Sequence, residues 1–292
     1  MSRNDDRLGP KDAILNDSPA PAVAVGTELN NNNNSPAFKW ACPTEFVELP
    51  SEGQFYPEGH PLHGKDTVEI NFMTAKEEDI LSSKALLRKG VAIDRMLESL
   101  LVDKNLKVGD LVVGDKNALT VAARITGYGP DYNTNVTCPY CSAGAEHTFD
   151  LSEVKHKNPA AAIQEYGVEV TPNRTFIFET PMTKAKVECR LMTGADEQAL
   201  LKAAQRREKH KINTSSLVEQ FRTFVVSVNG SINIDHLTSF ITSMPARDSR
   251  HIRKVYMAIT PNLDMSQTFE CEACGQESEL EIPLTAEFFW PK

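Results

Sequence analysis

From residue 66 onward the apolar positions change period in a fixed order, and the order occurs twice. In "VEINFMTAKEEDIL" (68–81) apolar and polar residues alternate, the period of a strand, and then meet Thr74-x-x-Glu77, a helix-starting capping box. In "VECRLMTGADEQAL" (187–200) the same alternation runs into Thr193-x-x-Asp196, at an offset of 119. Ile93, Met96, Leu97, Leu100 and Leu101 have the spacing of one buried helical face, and Leu217, Phe221, Phe224, Val225 and Val228 repeat it. A third helix is expected behind an aspartate N-cap in each half, Asp115 and Asp248, now at an offset of 133. The second copy therefore carries about 14 extra residues between 200 and 248. The offset of 133 then persists: Asp131 matches Asp264, and "TCPYC" matches the "CEAC" of 271–274.

The pattern predicts an α+β fold, internally duplicated as strand, three helices, Cys-x-x-Cys knuckle and strand, twice, around a shared central zinc-ribbon-like site. The first half is placed at 66–155, a connector at 156–184 and the second half at 185–292. Ahead of them, 41–65 is dense in Gly and Pro and predicts an extended, turn-rich lead-in. Residues 1–40, with the run Asn30 to Asn34, have too little apolar content to order themselves and predict a disordered leader.

The net charge of −9 weighs against a protein whose work is coating nucleic acid. No apolar run approaches a membrane span, and the N-terminus lacks a signal-peptide core, so an intracellular chain with reduced thiols is expected. Six cysteines then point to metal ligands or buried thiols. Cys138 and Cys141 supply half of a tetrahedral site, and Cys271 and Cys274 supply the other half. Four thiolates leave no open position, so the zinc expected here is structural. "CPYC" also occurs as a redox dithiol, but that chemistry needs the first Cys at a helix N-terminus, and "SAGAEHTFDLSEV" has no helical period. Cys189 stands where Ile70 stands in the first half and is expected in the core, as is Cys42 near Trp40. His60 and His63 flank Pro61, which prevents their alignment on a helix as ligands.

Other chemistry is thin. There is no phosphate loop, nucleophile elbow or catalytic carboxylate pair, so no catalysis is expected. "AQRREKHK" is the one basic cluster, and Arg206, Arg207, Lys209 and Lys211 offer a contact to an acidic partner or nucleic acid. "AEFFWPK" either packs on the zinc lobe or offers Phe288, Phe289 and Trp290 to a partner.

Several stretches, "LPSEGQFYPEGHPL", "VEINFMTAKEEDIL", "GDKNALTVAARITGYGPDYNTNVTCPYC" and "CEACG", resemble the baseplate hub assembly proteins of T-even-like contractile-tailed bacteriophages. The resemblance implies a tail assembly or structural protein that works through contacts with other baseplate hub proteins, without a substrate or a membrane. It implies a place in the host cytoplasm during assembly, and leaves both a lasting place in the tail baseplate and departure as a chaperone open. It transfers no catalytic residue. The alternative carried by the residues themselves is a zinc-ribbon nucleic-acid-binding protein.

Overall fold

The computed structural model describes residues 42–210, 216–284 and 286–289. The expected leader at 1–40, Lys211 and Trp290 lie outside them. Residues from Cys42 onward form one compact unit. It is mixed α+β, with nine helices and small antiparallel sheets among the described residues.

The chain opens with β1 (Thr44–Glu48), turns through 49–66, and returns as β2 (Thr67–Asn71) in an antiparallel pair. Gly53 sits in that turn at φ +68, and a Cβ on it would meet the Lys65 carbonyl at 2.3 Å, so only glycine fits. Helices α1 (Ala75–Ser82), α2 (Lys84–Lys89) and α3 (Ala92–Leu100) follow, then α4 (Val113–Tyr128). Strands β3 (Asp131–Thr137) and β4 (Gly144–Asp150) form the first cysteine-bearing hairpin.

The connecting stretch holds β5 (Lys155–Lys157), α5 (Ala160–Glu165) and β6 (Glu169–Val170). A second hairpin pairs β7 (Phe176–Glu179) with β8 (Lys186–Cys189), and helices α6 (Gly194–His210) and α7 (Ser216–Phe224) follow. Strand β9 (Val225–Val228) joins β8 and completes a sheet ordered β6-β7-β8-β9. Helices α8 (Ile234–Ser243) and α9 (Ala246–Ile259) lead into β10 (Asn262–Asp264), which pairs with β5. Strands β11 (Ser266–Glu270) and β12 (Glu277–Glu281) make the second cysteine-bearing hairpin.

The expected capping box forms at Thr74, and at Thr193 its carboxylate arm forms. The Glu77 carboxylate accepts the Thr74 N–H at 3.0 Å and its hydroxyl at 2.6 Å; Asp196 accepts the same two groups of Thr193 at 2.9 and 3.1 Å. Met96, Leu97, Leu100 and Leu101 are buried as the periodicity predicted.

Two expectations need correction. Val225 and Val228 are buried on a strand, not on the second helix, which stops at Phe224. The edge of β8 needs a partner, and the β-branched pair Val225–Val226 suits one. Beside β2 the chain makes only a short contact of this kind, the bridge Ile70–Leu101 and the bond from Val102 N–H to the Glu69 carbonyl (3.2 Å). Asp115 and Asp248 are not N-caps. Each lies in its helix's first turn, behind caps at Val112 and Pro245, and turns its carboxylate to the preceding hairpin. Asp115 accepts Ser51 N–H (2.9 Å), Ser51 hydroxyl (2.5 Å) and Tyr56 hydroxyl (2.7 Å). Asp248 accepts Met182 N–H (2.8 Å), Thr183 N–H (2.9 Å) and Thr183 hydroxyl (2.7 Å). In both places a helix N-terminus and a carboxylate together fix the loop that follows a strand.

Candidate metal centre

Each cysteine pair sits at the tip of a two-stranded hairpin, β3–β4 and β11–β12. The local geometry is the same at both. Ser142 N–H bonds back to the Cys138 carbonyl at 3.0 Å, and Gly275 N–H to the Cys271 carbonyl at 2.7 Å. Cys138 N–H reaches the Ala143 carbonyl (2.9 Å), and Cys271 N–H the Gln276 carbonyl (3.1 Å). The residue after the second cysteine is left-handed in each, Ser142 at φ 60 and Gly275 at φ 66. That reversal lets backbone N–H groups face the first sulfur of the pair, the arrangement a thiolate ligand uses.

The two tips meet. All four sulfurs lie within 4.8 Å of one another, with Cys138–Cys274 at 3.8 Å and Cys141–Cys271 at 3.7 Å. These separations are far beyond a disulfide bond of about 2.05 Å. A tetrahedral ion with sulfurs at about 2.3 Å spaces them about 3.8 Å apart, so the donor set fits a four-coordinate metal. Electrostatics point the same way. Backbone N–H groups of Cys141 and Tyr140 draw the Cys138 thiol down to about 6. Cys274 moves oppositely, up to about 12: the Gln276 N–H favours its thiolate, but desolvation and the sulfurs of Cys141, Cys271 and Cys138 outweigh it. Four thiolates this close repel one another, and a dication among them removes that penalty.

Cys138 and Cys271 are buried with Phe269 in a small cluster of their own, edged by Val136, Ala145 and Leu280. No helix follows Cys141; β4 does, so the helix N-terminus that a redox "CPYC" requires is missing. Cys189 is fully buried in the main core, where burial pushes its thiol up. Cys42 is half-buried and points its thiol at the Phe72 carbonyl, 3.5 Å away. His60 stacks on Tyr56 at 4.5 Å, and the ring of His63 is 2.9 Å from the Tyr56 carbonyl.

The other residues singled out in the sequence divide. Arg206 and Lys209 are exposed on the last turns of α6, whereas Arg207 is ion-paired with Glu219. Phe288 and Phe289 are buried to 1% exposure, which corrects their reading as partner contacts. They join the main core rather than the cysteine cluster: Phe288 packs edge-on to Tyr132 at 5.0 Å.

Three groups that hold the halves together escaped the sequence reading. Lys116 bridges Asp94 of α3 (2.7 Å) and Glu197 of α6 (2.8 Å); the two carboxylates outweigh burial and raise its pKa. Gly114 lies where a Cβ would meet the Pro261 carbonyl at 2.0 Å, so the start of α4 approaches the second half at backbone contact. Arg124, fully buried, donates to the carbonyls of Phe288 (2.9 Å), Gly129 (2.9 Å) and Asp131 (3.1 Å), tying α4 to the base of the first cysteine hairpin and to the C-terminal segment. Each of these links two distant stretches, which no local pattern announces.

The cysteine hairpins are acidic. Residues 129–154 hold four Asp or Glu and residues 264–284 hold six, with no Lys or Arg in either. Among the described residues no helix is long and apolar enough to cross a membrane.

Residues 44–173 match the family described as the T4 bacteriophage base plate protein. The matched segment runs from β1 into the connector and includes Cys138 and Cys141; it covers a little under half of the chain. The resemblance to T4-like baseplate proteins therefore holds across the first half. No curated protein and no solved structure matches the chain at a significant level.

Proposed function

We infer that this chain of T4 baseplate type builds the hub of a contractile phage tail, as a zinc-stabilised protein that works by contact with other baseplate proteins and performs no chemistry. The observation that carries the reading is the meeting of four sulfurs from two hairpins more than a hundred residues apart, one inside the baseplate-matched segment and one outside it. Cys138, Cys141, Cys271 and Cys274 are the proposed ligands. All-thiolate donors in a tetrahedron suit zinc, and four protein ligands leave no position for a substrate. The ion then serves as a clamp between two halves of one protein.

Duplication is part of the proposal. Matching carboxylate arms of the capping boxes, matching aspartates that hold the preceding hairpin loop, and matching left-handed residues after the second cysteine all support it. A nucleic-acid-binding zinc ribbon is disfavoured by charge, since hairpins without Lys or Arg repel phosphates.

Two measurements test the reading. Metal analysis of the purified chain should return about one zinc per chain, as four thiolates close one site; none, or iron, would overturn the clamp. Quantitative mass spectrometry of mature phage and infected-cell lysate should find the chain in particles or on tail intermediates. A fixed ratio in the particle makes it a structural component, and restriction to intermediates makes it an assembly chaperone. Absence from both would sink the baseplate role.

A further inference from the structure

The two halves differ in how one sheet edge is finished. Strand β7 is covered: β6 pairs with it through Glu169–Ile177 and Val170–Phe176. Helix α5 packs beside it on α9, and the Tyr166 ring lies 6.1 Å from the His251 ring and 5.6 Å from Lys254 Nζ. Strand β1 packs on α4, and β7 brings the Phe178 ring to 6.3 Å from the His251 ring of α9; each strand is followed by a loop held on an aspartate of that helix. Yet β1 has β2 on one side and, among the described residues, no strand on the other. Where α9 presents His251 and Lys254 to Tyr166, α4 has Ala118 and Val121 at the matching offset of 133. These two residues, with Val47, Leu151 and Leu263, are buried and floor a groove of about 250 Å³ beside β1, whose exposed rim is Glu45, Phe46, Glu48 and His156. Phe46 on that strand is 67% exposed, whereas Ile177, in the covered half, is half-buried. An unpaired edge that carries an exposed aromatic is a template for a strand from elsewhere.

Charge identifies the occupant. Glu45 and Glu48 are exposed on β1, Glu52 follows, and no Lys or Arg lines the groove. A second copy of this chain, at net charge −9, is a poor complement, and residues 1–41 carry five acidic against four basic side chains. The geometry points to β1 as the docking edge for an extended segment of a different baseplate protein. Glu45 and Glu48 lie on opposite faces of β1, so that segment carries a Lys or Arg toward each of them and an apolar side chain beside Phe46. The inference rests on the baseplate reading and adds the surface and the class of partner.

The test uses the full chain with Phe46→benzoylphenylalanine, a photo-crosslinking residue, expressed in infected cells. After irradiation the joined peptides are sequenced by mass spectrometry. The expected product joins position 46 to an extended stretch of another tail protein that carries both Lys or Arg and apolar residues. Its yield should fall at least about fivefold when Glu45→Lys and Glu48→Lys are added, with zinc content unchanged as proof of folding. A product within residues 1–41, a product with a second copy, no product, or a yield indifferent to the charge reversal each overturns the docking edge. If the chain is present on tail intermediates or particles but gives no product, only the docking edge fails. If it is absent from both, the baseplate reading fails first.

Discussion

Stripping the metal should open the cysteine hairpins and leave the body folded. The expectation follows from how little holds the tips. Their own core is Cys138, Phe269 and Cys271. Burying Phe269 is worth about 3 kcal/mol at most. Ordering the two tips, 136–145 and 269–278, costs about 1 kcal/mol per residue, or roughly 20 kcal/mol before their hydrogen bonds are counted. A lone two-stranded hairpin is marginal even with those bonds. The missing stabilisation is of the size a structural zinc site supplies, about 10–16 kcal/mol. The body has the large core, including fully buried Leu119, Ile252 and Phe176, and does not need the ion. Hydrogen exchange read by mass spectrometry, with and without a chelator, checks this. Exchange across 133–148 and 267–280 should accelerate at least about 1000-fold, the equivalent of about 4 kcal/mol, while α4 and α9 stay protected. Cys271→Ser should behave like the chelated protein. Protection at the tips that survives metal loss, or that vanishes together with α4 and α9, refutes the reasoning.

Asp115 and Asp248 should show opposite pH linkage. Burial raises the folded pKa of Asp115, so the stability it contributes is present below its unfolded value of about 4 and is lost as pH rises through the folded value. Asp248 is lowered: burial works upward, but the Thr183 hydroxyl and the Met182 and Thr183 N–H groups win. Its contribution is present above about 4 and is lost as pH falls through the folded value. Urea melts from acid to neutral pH should show the penalty of Asp115→Asn shrinking and that of Asp248→Asn growing; parallel trends contradict this. Asp115→Ala leaves Ser51 and Tyr56 donors buried without an acceptor and should cost about 3–5 kcal/mol in such melts, against under about 2 for Asp115→Asn. Lys116→Met strands two carboxylates, of which Glu197 is partly exposed, and should cost about 2–3 kcal/mol, with Lys116→Arg recovering part of it. Arg124→Leu frees the carbonyls of Phe288, Gly129 and Asp131 and should lower the melting temperature while zinc content stays near one per chain.

What could be seen in the sequence follows the range of each interaction. The capping boxes at Thr74 and Thr193 are four-residue motifs whose partners are three apart, so they were legible. The face of α3 was legible because a 3.6-residue period is a local property. Val225 and Val228 misled because the helical spacing from Phe221 continues across a boundary set elsewhere, by the open edge of β8. Asp115 and Asp248 were singled out and wrongly employed: a first-turn aspartate and an N-cap look alike in sequence, and only the position of the preceding loop separates them. Lys116 and Arg124 gave no signal, because their partners lie up to 164 residues away. Cysteine spacing was legible within each knuckle. The meeting of the two knuckles was an expectation from the repeat, since nothing local makes one hairpin tip face another.

The ties between the halves differ in kind, and the difference bears on assembly. Lys116 with Asp94 and Glu197, the Gly114–Pro261 backbone contact and the β5–β10 pair lie in or beside the main body and depend on burial and hydrogen bonding. The proposed zinc tie lies in a lobe with almost no core and depends on four thiolates. The body can therefore fold first, with the lobe ordering only when metal arrives. The lobe is also where negative charge is densest, so repulsion between its hairpins opposes closure until a dication is bound. The open edge of β1 is on the body, outside the cysteine hairpins. On this reasoning a partner strand can dock whether or not the lobe is closed, and metal loss should weaken contacts made by the lobe while sparing those made at β1.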